Sequence, residues 1–257
     1  MSRYVALGSS MAAGPGIGPR AEGAPLAAGR SARNYAHLVA AELGLDLVDV
    51  TYSGATTANV LHEPQHGAPP QISALNGSEE LVTVTIGGND VGYVPMLFAA
   101  GLPRPARKLP LLGNVLRAHL DPRARDEALT EVGASLVEVG RTIRARAPHA
   151  TVLFVDYLTL LPPPGVPAPP LPDTDVATGR HVADTLERLT AEAAAATGCG
   201  LVRAAGHSRA HHAWSADPWT TRFGLFDFLR PGRPAPLHPN AAGMRAVAGL
   251  IVAQLTG

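Results

Sequence analysis

The chain has a single cysteine, Cys199, so it cannot close a disulfide within itself, a usage that suits a reducing compartment. It has no charge of one sign to spare: 21 Lys and Arg stand against 21 Asp and Glu. That balance argues against a nucleic-acid partner, whose phosphates call for a basic surface. Charged residues make up only 16% and hydrophobic ones 46%, which excludes the solvated composition of a disordered chain and fits a globular enzyme. There is no apolar run of the roughly 20 residues that cross a bilayer; the stretch from Ala246 to Leu255 is shorter and reads as a packed terminal helix. The first strand starts a few residues after Met1, with no room for a secretion signal, so the expected location is the cytoplasm. No repeat of fixed period and no dividing linker is visible, so residues 1–257 are expected to form one domain.

What is present is a rhythm of short apolar runs that end in glycine and a polar group. Tyr4-Val5-Ala6-Leu7 runs into Gly8-Ser9-Ser10, a strand that delivers a hydroxyl at a tight turn. Helical spacing of Tyr35, Leu38, Val39 and Leu43 predicts a helix from Ser31, as cap, to Gly44, as stop. A second strand over Leu45 to Thr51 leads to Ser53-Gly54-Ala55-Thr56-Thr57, and a third, Leu81 to Ile86, leads to Gly87-Gly88-Asn89-Asp90. Residues 93–120, broken by four prolines, read as an irregular cover whose apolar side chains line an acyl pocket and whose basic ones, Arg104, Arg107 and Lys108 among them, attract an anionic head group. Further expectations are a helix over 126–146, a strand over 151–156, a proline-rich surface loop over 161–172, a helix over 176–196 and a short strand over 201–204. A last helix opens at Pro239 and makes His238 its N-cap. Strands alternating with crossovers predict an α/β fold with a parallel sheet of five strands.

Four pieces thus follow one another: Gly8-Ser9-Ser10-x-x-x-Gly14, Ser53-Gly54-Ala55-Thr56-Thr57, Gly87-Gly88-Asn89-Asp90 and His238-Pro239-Asn240. In kind, order and position after strands they resemble the four blocks of the SGNH (GDSL-type) hydrolases, and most nearly the bacterial esterase and lipase branch. The resemblance spans almost the whole chain. It implies a three-layer α/β/α sandwich with flavodoxin-like strand order, no cofactor or metal, and a serine esterase acting on lipid-like or small acyl esters through an acyl-enzyme. The absence of a G-x-S-x-G elbow around Ser10 separates it from the α/β-hydrolases.

A serine hydroxyl needs a base to become a nucleophile, and neutral histidine suits that task near pH 7. His238 is the implied base for Ser10. The implied oxyanion donors are the backbone N–H groups of Ser10 and Gly54 and the side-chain amide of Asn89. Two departures stand out: Ser9 occupies the place of the family's usual aspartate, and Ala235 stands where the triad aspartate usually lies, three residues before His238. The expectation is a Ser10–His238 dyad oriented by a main-chain carbonyl near Ala235, or else by a distant carboxylate such as Asp227. A neutral acceptor stabilises imidazolium less than a carboxylate does, so a modest maximal rate follows.

Other readings compete. Acyl transfer to an alcohol or amine shares the acyl-enzyme, and acetylated sugars are an alternative substrate class. The missing aspartate keeps open a non-catalytic binding protein on the same fold. His62-Glu63-Pro64-Gln65-His66 matches the zinc-hydrolase pattern H-E-x-x-H, although Pro64 disfavours the helix that would align His62 with His66.

Overall fold

A computed structural model describes residues 2–103, 105, 112–224 and 233–257. Arg104, Arg107, Lys108 and Asp227 lie outside the described residues. The strands are β1 (Arg3–Gly8), β2 (Asp46–Asp49), β3 (Glu79–Thr85), β4 (Thr151–Val155) and β5 (Gly200–Val202). They form one parallel sheet in the order β2-β1-β3-β4-β5, the flavodoxin-like arrangement.

The alternation of side chains along β1 builds both layers. Val5 and Leu7 point into a core completed by α6 (Pro122–Arg146) and α7 (Asp173–Thr197), with Leu136, Val139, Val182 and Leu186 among its members. Tyr4 and Ala6 point the other way, into a core closed by α2 (Tyr35–Leu43) and α9 (Ala241–Thr256) through Tyr35, Val39, Met244, Val247 and Ile251. A strand buried on both faces carries a continuous apolar run, as parallel sheets require. Tyr4 and Tyr35 bury their hydroxyls at no loss, pairing with Thr83 at 2.8 Å and Thr85 at 2.9 Å.

Several boundaries differ from expectation for local reasons. Helix α2 starts at Tyr35 because Asn34, not Ser31, accepts the N–H of His37; Gly44 ends it in the left-handed conformation, as expected. The region read as irregular cover holds two helices, α4 (Tyr93–Gly101) and α5 (Leu112–Leu120). Pro95 is tolerated because it lies in the first turn of α4, where an N–H has no helical partner to lose. Helix α6 begins at Pro122 with Asp121 as cap, and the one-turn helix α8 (Ala204–His207) follows β5. The N-cap of α9 is Asn240, whose Oδ1 accepts from Ala242 and Gly243, so His238 lies two residues ahead of the cap rather than on it. No described helix is long and apolar enough to cross a membrane.

Candidate active site

Strand order reverses between β1 and β3, and ligands of such sheets bind at the carboxyl edge of that point. Ser10 leaves β1 and Asn89 follows β3, so both stand at this edge; Gly54 follows β2, the neighbour of β1 on its other side. Ser10 opens the one-turn helix α1 (Ser10–Ala13), behind Ser9, and is buried. The preceding Gly8 is held by Gln71, whose Oε1 accepts from Gly8 N at 2.7 Å and whose Nε2 donates to Gly8 O at 3.0 Å. Ser9 N donates to Thr85 O at 2.9 Å, fixing the start of the turn to the end of β3.

His238 reaches this edge from the far end of the chain. Its Nε2 lies 2.8 Å from Ser10 Oγ, and its Nδ1 lies 2.8 Å from the carbonyl oxygen of Pro236. Nδ1–H donates to that carbonyl, which leaves the Nε2 lone pair facing the hydroxyl of Ser10. The group that Nδ1 meets is therefore the main-chain carbonyl of Pro236, beside Ala235, whose own carbonyl accepts from Thr221 Oγ1 at 2.6 Å. Between Pro236 and His238, Leu237 is fully buried with φ of 60°, a left-handed conformation rare for a branched side chain. Thr221 holds the histidine from both sides: its N–H donates to His238 O at 2.9 Å, and its Oγ1 accepts from His238 N at 3.2 Å. Burial pushes the imidazole pKa below its ordinary value, opposed by the bond to the Pro236 carbonyl.

The second and third turns are tied to one another. Asn89 Nδ2 donates to Ala55 O at 2.8 Å, and the Asp90 carboxylate accepts from Thr57 N at 3.0 Å. One amide hydrogen of Asn89 remains for a ligand. Gly54 is exposed, has φ of 81°, and a Cβ there would meet only Gln65 Nε2 at 3.5 Å. Glycine is thus required by conformation rather than by space. The N–H groups of Ser10 and Gly54 find no acceptor among the described residues.

Two contributors were not visible beforehand. Tyr157, just after β4, places its hydroxyl 2.9 Å from Gly88 N and 3.2 Å from Ser9 Oγ. Gln71 acts on the Gly8 backbone from 63 residues away, a contact without a local signature. Beside Tyr157, Asp156 is buried; Ala205 N donates to its Oδ1 at 2.7 Å, while Oδ2 has no partner among the described residues. Burial drives its pKa up to about 7.

The H-E-x-x-H segment does not continue a helix. α3 (Thr57–Leu61) stops before it, His66 has φ of 48°, and the His66 ring stacks on Tyr52 with centroids 5.8 Å apart. His62 and His66 therefore do not stand one helical turn apart, and no group of three or more His, Cys, Asp or Glu among the described residues is placed to hold a metal.

Comparison with known proteins identifies the family and the fold. Residues 6–246 match the model of the GDSL-like Lipase/Acylhydrolase family. Lipase 2 of Streptomyces coelicolor is 34% identical over 253 residues, covering 95% of this chain and 83% of that one. Among solved structures, phospholipase A1 from Streptomyces albidoflavus superposes with a TM-score of 0.80 at 26% identity, covering 100% of this chain and 99% of that one. The extracellular lipase of Streptomyces rimosus gives 0.78 at 26% identity, with both chains fully covered.

Proposed function

The chain belongs to the GDSL-like lipase/acylhydrolase family and is a carboxylic ester hydrolase, and from that premise we propose that Ser10 is its nucleophile and His238 its base, acting on lipid-like acyl esters. The 2.8 Å contact of Ser10 Oγ with His238 Nε2, with Nδ1 fixed on the Pro236 carbonyl, carries this reading. His238 takes the hydroxyl proton as Oγ attacks the ester carbonyl, then returns it to the leaving alcohol. Water activated by the same imidazole hydrolyses the acyl-Ser10 ester.

Negative charge on the tetrahedral intermediate meets the N–H groups of Ser10 and Gly54 and the remaining amide hydrogen of Asn89, none of which has an acceptor to leave among the described residues. One such donor is worth about 3–4 kcal/mol of transition-state stabilisation. Because Pro236 offers a dipole rather than a charge, imidazolium gains less here than beside a carboxylate, which favours a modest maximal rate. The geometry disfavours the binding-protein reading, since a ligand site alone has no use for a base aimed at a hydroxyl.

A lipid-like substrate is supported by the lipases and phospholipase among the relatives. The test is hydrolysis of p-nitrophenyl acetate, butyrate and octanoate by wild type and Ser10→Ala. Turnover that rises toward octanoate and vanishes in Ser10→Ala is expected. Turnover that survives Ser10→Ala overturns the nucleophile, and a steady fall from acetate to octanoate overturns the lipid-like substrate in favour of small acetyl esters.

A further inference from the structure

The phenol of Tyr157 is shared between two turns that supply different parts of the proposed chemistry. Ser9 precedes the nucleophile and Gly88 precedes Asn89; the hydroxyl accepts the Gly88 N–H at 2.9 Å and lies 3.2 Å from Ser9 Oγ. With one lone pair engaged by Gly88, the phenol can donate its own proton to Ser9 Oγ. The ring is seated as firmly as the hydroxyl. A Cβ on Gly88 would lie 2.8 Å from Cε1, Cζ and the oxygen of Tyr157, so glycine there is what lets the ring press on the backbone. Burial pushes the phenol pKa up to about 12, so it stays protonated across the working range.

We infer that Tyr157 is a positioning residue for the ester hydrolysis: its hydroxyl fixes the Asn89 turn relative to the nucleophile turn, and so sets where the Asn89 amide meets the oxyanion. The inference rests on the proposed roles of Ser10 and Asn89. Asn89 is tied on one side to Ala55, and through Gly88 to Tyr157 on the other. Without the phenol oxygen the Gly88 N–H loses its acceptor, and the turn shifts to find another. Donor placement matters most when charge has formed, so kcat bears the effect and KM is spared.

The experiment compares wild type, Tyr157→Phe, Asn89→Ala and the double variant on p-nitrophenyl butyrate, with thermal unfolding to verify folding and Ser10→Ala as control. Tyr157→Phe is expected to lower kcat about tenfold with little change in KM, the size of one lost hydrogen bond. In the Asn89→Ala background the same substitution is expected to change kcat less than about twofold, because the group that Tyr157 positions is gone. Equal effects in both backgrounds, or an unchanged kcat, overturn the inference. Activity remaining in Ser10→Ala instead overturns the nucleophile assignment and is read separately. Should Tyr157→Phe fail to fold, Ser9→Ala decides: it removes one of the two bonds, and a fall in kcat at constant KM is expected, no fall being the refuting result.

Discussion

The Nδ1 of His238 lies 2.8 Å from the carbonyl oxygen of Pro236, two residues earlier in the same backbone. The positive φ of Leu237 accompanies the turn that brings the two groups together. Holding a non-glycine residue there costs on the order of 1–3 kcal/mol, sustained by the burial of the leucine side chain. The orienting acceptor is therefore secured by packing and conformation rather than by charge.

This arrangement sets the pH dependence. Burial lowers the His238 pKa and the Pro236 carbonyl only partly opposes it. As the proposed base, His238 works when neutral, so kcat/KM should be flat through neutrality and fall with acid at a midpoint below 6.5, the ordinary histidine value. A pH profile on a chromogenic ester checks this, and an acidic limb centred above 6.5 contradicts it.

The Leu237 conformation reverses a familiar ranking. Leu237→Ala and Leu237→Gly both remove the buried side chain, at about 2–5 kcal/mol. Only glycine also relieves the left-handed φ. The glycine variant should therefore be more stable than the alanine variant by about 1 kcal/mol in urea unfolding. If alanine is the more stable of the two, the backbone at 237 is not strained.

Asp156 makes a stability prediction of opposite sense to that of most carboxylates. Its folded pKa is raised from 3.8 to about 7 by burial, so the fold favours the protonated form. Stability is lost as pH rises across that interval, and the penalty is complete above it. Asp156→Asn keeps an acceptor for Ala205 N–H and removes the charge. It should stabilise the protein at pH 8 on the order of 3 kcal/mol, with the gain shrinking toward pH 4. Urea unfolding at both pH values decides, and a wild type more stable than the variant at pH 8 refutes it.

Asn89→Ala removes the neutral side-chain donor that we propose for the oxyanion. A fall of about 10²-fold in kcat with a near-constant KM is expected. Steady-state kinetics on the butyrate ester measures it, and a variant whose loss lies wholly in KM would mean that Asn89 binds the ground state instead.

Much of this was legible in the sequence, and for physical reasons. The run Tyr4–Leu7 announces a strand buried on both faces, and β1 fills both cores. Ser10, Gly54, Asn89 and His238 each sit in a turn with its own local signal, so their positions along the chain could be read. The geometry joining Ser10 to His238 is a contact across 228 residues that only the fold creates. Tyr157 and Gln71 were missed because they act on backbone groups far away in sequence, and nothing in their own neighbourhoods marks it. The sequence pointed to a carbonyl near Ala235 without naming which, because every position has a carbonyl; the fold turns that of Pro236 toward the imidazole, with Leu237 at positive φ between them. The letters H-E-x-x-H misled in the other direction: they spell a ligand pair only on a helix, and α3 has already ended at Leu61.

The acceptor behind His238 has no codon of its own. Any of the twenty amino acids at 236 supplies the same oxygen, so a saturation mutagenesis map of activity should show no dependence on side-chain polarity there. The sensitivity should surface one position later, at 237, as a requirement for bulk in an unusual conformation. Selection can then tune the base by reshaping an apolar side chain, without passing through a variant that leaves a buried carboxylate unpaired.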